Sequence, residues 1–327
     1  MKTSPFPSSG AFVIDKPEGL SSSQVVTRLK WGMINGKFAG KSLKIGHGGT
    51  LDPFATGVLV ILFGEATKLA DCYLHSKKTY TGTIRLGAAT DSGDLTGEKT
   101  GEKKIPELSL AGWQALAEGF VAGPYLQTPP MHSAKKKDGV ALYELARKGV
   151  EIEREAIQKE IYSFTLSHPE SDSLEFEVSC ESGTYVRVLA EDLAKGAGTL
   201  AHLISLRRTR SSDRSIRESL PLEEALRSLA AGPDSGIPSN FIPLHSLATH
   251  VPELRIQSGI SDRIRQGQMA AIDGVLDQAA ELGAKGRYLL VRDGVSLVAL
   301  LERISSHQQY RLQRVFNPPD PRESSLP

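Results

Sequence analysis

Lys44-Ile-Gly-His-Gly-Gly-Thr-Leu-Asp-Pro-Phe-Ala-Thr-Gly57 governs the reading of everything around it. Gly46, Gly48 and Gly49 leave the backbone free to take positive φ or to let another molecule come close. Pro53 pushes Asp52 out of helical geometry into an extended or turn conformation. The run Val58-Leu-Val-Ile-Leu-Phe63 is apolar without alternation and fits a buried strand. His47 and Asp52 are thus displayed on a tight loop fastened to the core, where chemistry is commonly carried. The same residues also satisfy a plain turn, because Asp-Pro and Gly-Gly are ordinary loop material. The loop nominates a site and leaves its reaction open.

Towards the N-terminus, Ala11 to Ile14 reads as a strand ended by Asp15-Lys-Pro-Glu-Gly19. Ser21 to Ser23 offer caps for a helix with Val25, Val26 and Leu29 on one face. Residues 35–44 read as a loop rich in glycine and lysine. Beyond Phe63, Glu65 to His75 shows helical spacing, Tyr80 to Leu86 fits a strand, and Gly87 to Gly97 reads as a polar loop carrying Asp91 and Asp94. A helix follows over Ala111 to Val121, then an irregular basic stretch from Gly123 and a short helix over Val140 to Lys148. Tyr162 to Leu166 and Leu174 to Cys180 predict an antiparallel pair, the second with Leu174, Phe176, Val178 and Cys180 on one face.

Gly183-Thr-Tyr-Val-Arg187 opens a helix to about Lys195, with Val186, Leu189, Ala190 and Leu193 on its apolar side. Arg187 lies in the first turn, where the helix dipole disfavours a cation. Either it pairs with Glu191 one turn on, or it points at an anion elsewhere, with Asp52 a candidate. Residues 230–239 read as a linker, and Pro252 to Phe316 as a small separate unit. Its Asp293-Gly294 lies between two apolar runs, a hairpin signal. The tail, Asn317 to Pro327, reads as disordered.

At 327 residues the chain has room for roughly two domains. Hydrophobic content of 39% and charged content of 24% are those of an ordinary soluble protein. No apolar run reaches the roughly 18 residues that cross a bilayer. Met1 to Gly10 lacks the apolar segment of a secretion signal. Two cysteines, Cys72 and Cys180, make no disulfide framework, and a cytoplasmic setting is expected. The net charge is +1, but its distribution is uneven. Arg28, Lys30, Lys37, Lys41 and Lys44 fall in a stretch with no acidic residue, Lys135 to Lys137 form a run, and Arg207, Arg208, Arg210, Arg214 and Arg217 are opposed only by Asp213 and Glu218. Such single-sign segments fit an anionic partner such as a phosphate backbone, or simply solvated faces.

Other chemistries have little support. The histidines form no His-Glu-x-x-His and no cluster at metal-ligand spacing. There is no P-loop, no Gly-x-Ser-x-Gly elbow and no dinucleotide fingerprint. Asp91 and Asp94 could join Asp52 in a metal-assisted hydrolase, although paired carboxylates in a polar loop are more often solvated. No cofactor is indicated.

Taken together the motifs resemble those of the TruB-type tRNA pseudouridine synthases. The central stretch resembles that family's catalytic loop, and Asp15-Lys-Pro-Glu-Gly-Leu-Ser-Ser22 its N-terminal motif. Lys78-Thr-Tyr-Thr-Gly82, Gln127-Thr-Pro-Pro-Met-His-Ser-Ala-Lys135, Gly183-Thr-Tyr-Val-Arg187 and Leu206-Arg-Arg208 match in the family's order. The resemblance implies an α+β fold: a mixed, mainly antiparallel sheet with flanking helices over residues 10–240, and an RNA-clamping thumb near 123–149. A small PUA-like β-rich domain is implied over 245–316. It implies that a uridine in the tRNA T-loop, conventionally position 55, becomes pseudouridine without cofactor or metal. Asp52 then stands for the catalytic aspartate, Arg187 for its partner, and Tyr80 for the aromatic residue against the uracil. His47, Tyr185 and Leu206 fall where the family contacts the target nucleotide, and Lys16, Lys135, Arg207 and Arg208 where RNA is held. The implied partner is the T-arm stem-loop, with no membrane and no protein partner, and the chain a monomer. A tRNA-binding folding module whose catalysis is secondary is the competing reading. Gly48 stands where many members have threonine, Phe54 where leucine is usual, and His132 where Tyr or Phe is common.

The implied chemistry has a physical condition. A carboxylate nucleophile covered by a base must stay ionised, and taking an unpaired ion out of water costs several kcal/mol. A guanidinium about 4 Å away returns on the order of 4 kcal/mol at an effective dielectric near 20. Arg187 beside Asp52 would offset that cost.

Overall fold

The computed structural model describes residues 7–131, 133, 136–137, 140–141, 150, 152–170, 172–233, 238–257, 259–282, 286–304 and 309–318. Strand β1 (Gly10–Lys16) leads into helix α1 (Ser22–Asn35), and β2 (Ile45–His47) precedes β3 (Thr56–Phe63). After a short helix α2 (Ala70–Leu74) come β4 (Lys78–Leu86), β5 (Ala88–Thr90), β6 (Lys99–Glu102), α3 (Leu110–Val121) and β7 (Tyr125–Gln127). Two-residue strands β8 (Lys136–Lys137) and β9 (Val140–Ala141) pair with each other. Then follow β10 (Ile157–Lys159), β11 (Ile161–Glu170), β12 (Ser173–Cys180), α4 (Val186–Gly196) and β13 (Ala201–Ser211). The remainder comprises β14 (Arg214–Ser215), β15 (Leu220–Pro221), α5 (Leu222–Ala230), β16 (Phe241–Pro243), β17 (Glu253–Arg255), α6 (Ile260–Arg265), α7 (Met269–Leu282), β18 (Tyr288–Asp293), β19 (Ser296–Arg303) and β20 (Tyr310–Val315). The fold is α+β, its strands mainly antiparallel.

These elements form two compact units that do not follow chain order. One comprises Asp52–Gly57 and His75–Ser211, the other Met1–Leu51, Val58–Leu74 and Ser212–Pro327. In the first, β11, β12, β4 and β13 pair antiparallel in that order, and β13 takes Thr56 and Gly57 in parallel. In β12 the buried Leu174, Phe176, Val178 and Cys180 alternate with exposed Glu175 and Glu177, as period-two patterning requires. Helix α3 lies on β11 through Gln114, which donates to the Phe164 carbonyl at 3.0 Å and accepts from Leu166 N–H at 2.9 Å.

In the second unit β3 runs beside β1, whose other neighbours are β15 in parallel and β16 antiparallel. β3 is apolar on both faces because both are covered. One face meets α1 and α5 through Leu59, Ile61 and Phe63, and the other joins a cluster reaching Leu290, Leu300 and Phe316. Helix α1 starts with a capping box between Ser21 and Gln24 and buries Val25, Leu29 and Met33. β17, β18, β19 and β20 form a four-stranded sheet with α7 against it.

Three sequence expectations differ locally. The helix read over Glu65 to His75 is a 3₁₀ segment, Gly64–Leu69, followed by α2. The Thr67 hydroxyl donates to the Gly64 carbonyl at 2.7 Å, a local bond that favours the tighter winding. The loop from Gly87 contains the β5–β6 hairpin, too short to show alternation. Val140 and Ala141 are paired strand rather than the start of a helix, and the rest of that stretch, with Lys135 and much of 123–149, lies outside the described residues. So do residues 319–327 of the tail.

Candidate active site

The central loop is fastened immediately before its carboxylate. Ser22 Oγ, buried at the start of α1, accepts from Leu51 N–H at 2.8 Å and donates to the Leu51 carbonyl at 3.2 Å. Ala55 N–H donates to the Asp52 carbonyl at 3.1 Å and closes the turn over Pro53. At the exit Gly57 takes φ +102°, and a Cβ there would lie 2.2 Å from the Arg208 carbonyl oxygen. Only glycine permits the strand to approach β13 this closely. Gly48 has its own reason: a Cβ would lie 2.5 Å from Cβ of Tyr73, so that buried tyrosine fills the space a threonine would need.

Arg187, in the first turn of α4, turns to Asp52. Its Nη2 lies 2.9 Å from Asp52 Oδ2, while Nη1 donates to the Ser92 carbonyl at 2.6 Å and lies 3.7 Å from Asp94 Oδ2. The guanidinium is 4% exposed, Asp94 6% and Asp52 37%. One cation therefore lies between a closed carboxylate and an open one. Asp94 Oδ1 accepts from Ser92 Oγ at 2.9 Å, Thr96 N–H at 2.9 Å and Thr96 Oγ1 at 2.5 Å, so it is fixed before Arg187 reaches it. Glu191, the i+4 alternative, faces Gly93 instead, whose absent side chain makes the space.

Tyr80 stands opposite Arg208 across the β4–β13 ladder and is hydrogen-bonded to it. Burial pushes the Tyr80 phenol up; the Arg208 charge works against this and the Asp52 charge adds to it. The phenol therefore stays protonated at neutral pH. Lys78, two residues earlier, is driven down to about 7 by burial and by Arg208, and donates to Ser76 O at 2.8 Å and Ser76 Oγ at 2.9 Å. Leu206, buried on β13, pairs with Gly82 and lies on the same face as Arg208. Tyr185 caps α4, and the buried Gln127 grips its backbone from both sides, accepting from Tyr185 N–H at 2.7 Å and donating to its carbonyl at 3.0 Å. Tyr125 continues this network by donating to Asp192 Oδ2 at 2.6 Å.

Asp52, Arg187, Tyr80, Tyr185, Leu206, Arg207 and Arg208 thus belong to one unit, while His47 and Lys16 belong to the other. Two expected RNA contacts need correction. Lys16 is wholly buried, its ammonium donating to the Pro17 and Leu20 carbonyls at 2.8 and 2.7 Å, so it holds the turn before α1. Arg208 is 1% exposed and serves Tyr80, so no phosphate reaches it there. Arg207 is half-buried and donates to Thr56 Oγ1 at 3.2 Å. His47 accepts from Gly49 N–H at 3.3 Å, a backbone cap within the loop. Asp94 and Gln127 were missed as site residues. Asp94 sits in a polar loop with no signal of its own, whereas Gln127 lies within a motif already singled out. The metal reading of Asp91 and Asp94 loses its basis, because Asp91 Oδ1 accepts from Glu98 N–H and Asp94 belongs to Arg187.

The chain is similar to known proteins along most of its length. Residues 37–186 match the family described as TruB family pseudouridylate synthase, N-terminal domain. The tRNA pseudouridine synthase B of Psychrobacter cryohalolentis is 40% identical over 84% of this chain and 73% of its own. That of Chromohalobacter salexigens is 37% identical over 89% of both chains. A chain in the crystal structure of a Cbf5–Nop10–Gar1 complex superposes with a TM-score of 0.70 at 22% identity, over 96% of this chain and 89% of that one, a likeness of fold. The class is that of the pseudouridine synthases, enzymes that isomerise uridine to pseudouridine. Within it, the chain belongs to the TruB family.

Proposed function

We propose that the enzyme converts a T-loop uridine of tRNA, conventionally position 55, into pseudouridine, with Asp52 as the nucleophile acting on an extruded base. The tRNA substrate is the one named for its relatives. The single observation that carries the mechanism is the Arg187–Asp52 pair at 2.9 Å, its cation buried and its carboxylate partly open. Such a carboxylate is paired from behind while its other side is left open to substrate. Because Asp52 is 37% exposed, water screens the attraction, which is worth less than the roughly 4 kcal/mol of a closed pair.

Asp52 acts by attack on C1′ or by proton abstraction at the sugar, and either way departs at the end. The N1–C1′ bond breaks, the uracil turns in place, C5 bonds to C1′, and the C5 proton is lost as N1 gains one. The reaction is an isomerisation and calls for no cofactor. Extruding a loop nucleotide costs a few kcal/mol, less than a paired one. Tyr80, kept protonated, lies against the base and offers a donor rather than a base.

Asp52→Asn is expected to bind unmodified tRNA as the parent does and to release no tritium from 5-tritiated uridine. Tritium release at the parental rate would remove Asp52 from the nucleophile's role, and lost binding would favour a purely RNA-holding duty.

A further inference from the structure

On the side of α1 away from Val25, Leu29 and Met33, the residues Thr27, Arg28, Trp31 and Asn35 form a row at helical spacing. Trp31 is 56% exposed, whereas the chain's other tryptophan, Trp113, is 1% exposed. The row lines a surface pocket of about 500 Å³ whose far wall is Leu226 and Ala230 of α5. Its floor is glycine. A Cβ on Gly36 would lie 2.1 Å from the Leu229 carbonyl oxygen, and one on Gly32 would lie 3.2 Å from the side chains of Leu226 and Leu229. The two helices are thereby drawn together, and the indole is left as a shelf beside the groove.

Arg28 is the charged side chain in the pocket's lining, and the exposed Lys37 directly follows its last glycine, Gly36. Residues 28–44 hold five cations and no acid. Glu223 and Glu224 open α5, with Arg227 one turn further on. Glu223 lies 3.5 Å from Arg28 in a pair exposed on both sides, which exchanges readily for another anion. A pocket of this volume takes a ligand of small-molecule size. A protein partner would want at least about 1,200 Å² of buried surface. An aromatic shelf flanked by cations and an amide is the arrangement that holds an unpaired base and its phosphates.

We infer that the α1–α5 groove is a second RNA contact, in which one unstacked nucleotide of the substrate lies on Trp31 with its phosphates on Arg28 and Lys37. This rests on RNA being the substrate, as proposed above. The test is binding of an unmodified full-length tRNA transcript, read by intrinsic fluorescence and filter retention. Because Trp113 is buried, quenching on binding reports Trp31. Trp31→Ala is expected to abolish the quench and weaken binding about tenfold, Trp31→Phe to restore most of the affinity, and kcat at saturating transcript to stay within about twofold. Arg28→Glu, a surface change, is expected to weaken binding in the same direction. Parental affinity in Trp31→Ala and Arg28→Glu overturns the inference. A parent dimer in sedimentation that Trp31→Ala dissolves, with RNA affinity unchanged, also overturns it and assigns the groove to a second copy. A parent protein that binds the transcript without isomerising it defeats the proposed function and leaves this contact standing.

Discussion

Arg187 serves two carboxylates that differ in what surrounds them. Asp94 is saturated by Ser92 and Thr96 and cannot turn towards solvent, so it orients the guanidinium without competing for the substrate. Asp94→Asn keeps the shape and removes the charge. The expected result is a fall in kcat of roughly 10- to 100-fold with KM little changed, because a small misplacement of Arg187 is felt at Asp52. Steady-state tritium release separates the two constants, and a rise in KM alone would speak for a role in binding. At this scale the sequence was partly legible. Arg187 announced itself by standing where a helix disfavours cations. Asp94 carried no comparable mark, since its partner lies in a distant helix and its own neighbours are ordinary loop residues. Lys16 and Arg208 were misread because basic residues are usually solvated, and nothing local shows that these two have buried acceptors.

Helix α4 illustrates what is decided between elements. Its apolar stripe was plain from spacing, and Val186, Leu189, Ala190 and Leu193 are indeed its buried face. Its first turn, however, has no capping side chain of its own. Gln127, 58 residues earlier, supplies both bonds at Tyr185 and so fixes the direction in which Arg187 leaves the helix. Gln127→Ala leaves two backbone groups short of partners and is expected to cost about 1–3 kcal/mol. Urea unfolding measures that loss, and an unchanged midpoint would mean that water replaces the amide. Strands with alternation or unbroken apolar runs were legible for the same local reason as the stripe. The β5–β6 hairpin was not, because three residues are too few to carry a period. The 3₁₀ segment was not either, because 3₁₀ and α spacing coincide over one turn.

Over the whole molecule, Asp213 ties β14 to the segment after β16. Thr249 Oγ1 donates to its Oδ2 at 2.7 Å, Arg214 lies 3.3 Å away, and the His250 ring 3.5 Å from Oδ1. Burial pushes this carboxyl up, but the facing His250 ring, the Arg214 charge and the Thr249 hydrogen bond outweigh it, holding it at about 2 against an ordinary 3.8. The folded value lies below the unfolded one. Its stabilisation, about 2 kcal/mol, is therefore complete above about pH 4 and fades as pH falls through about 2. Asp213→Asn is expected to flatten the loss of stability between those two pH values, measured by urea titrations at each pH. An acid limb as steep as the parent's would show that other carboxylates dominate. Chain order predicts that neighbours in sequence fold together, and here that guide fails because residues 212 onward group with the first 51.

That grouping bears on how the polypeptide is made. Ala11, Val13, Val58 and Val60 share one buried cluster with Ala66, Leu69 and Tyr73, which are made soon after them, and with Leu290, Leu297, Leu300 and Phe316, which are made much later. The middle of the chain can close its own core while the opening strands still wait with an incompletely covered apolar flank. Synthesis thus leaves part of that flank exposed until the later segment has been made, an interval during which chaperone capture or premature association competes with maturation.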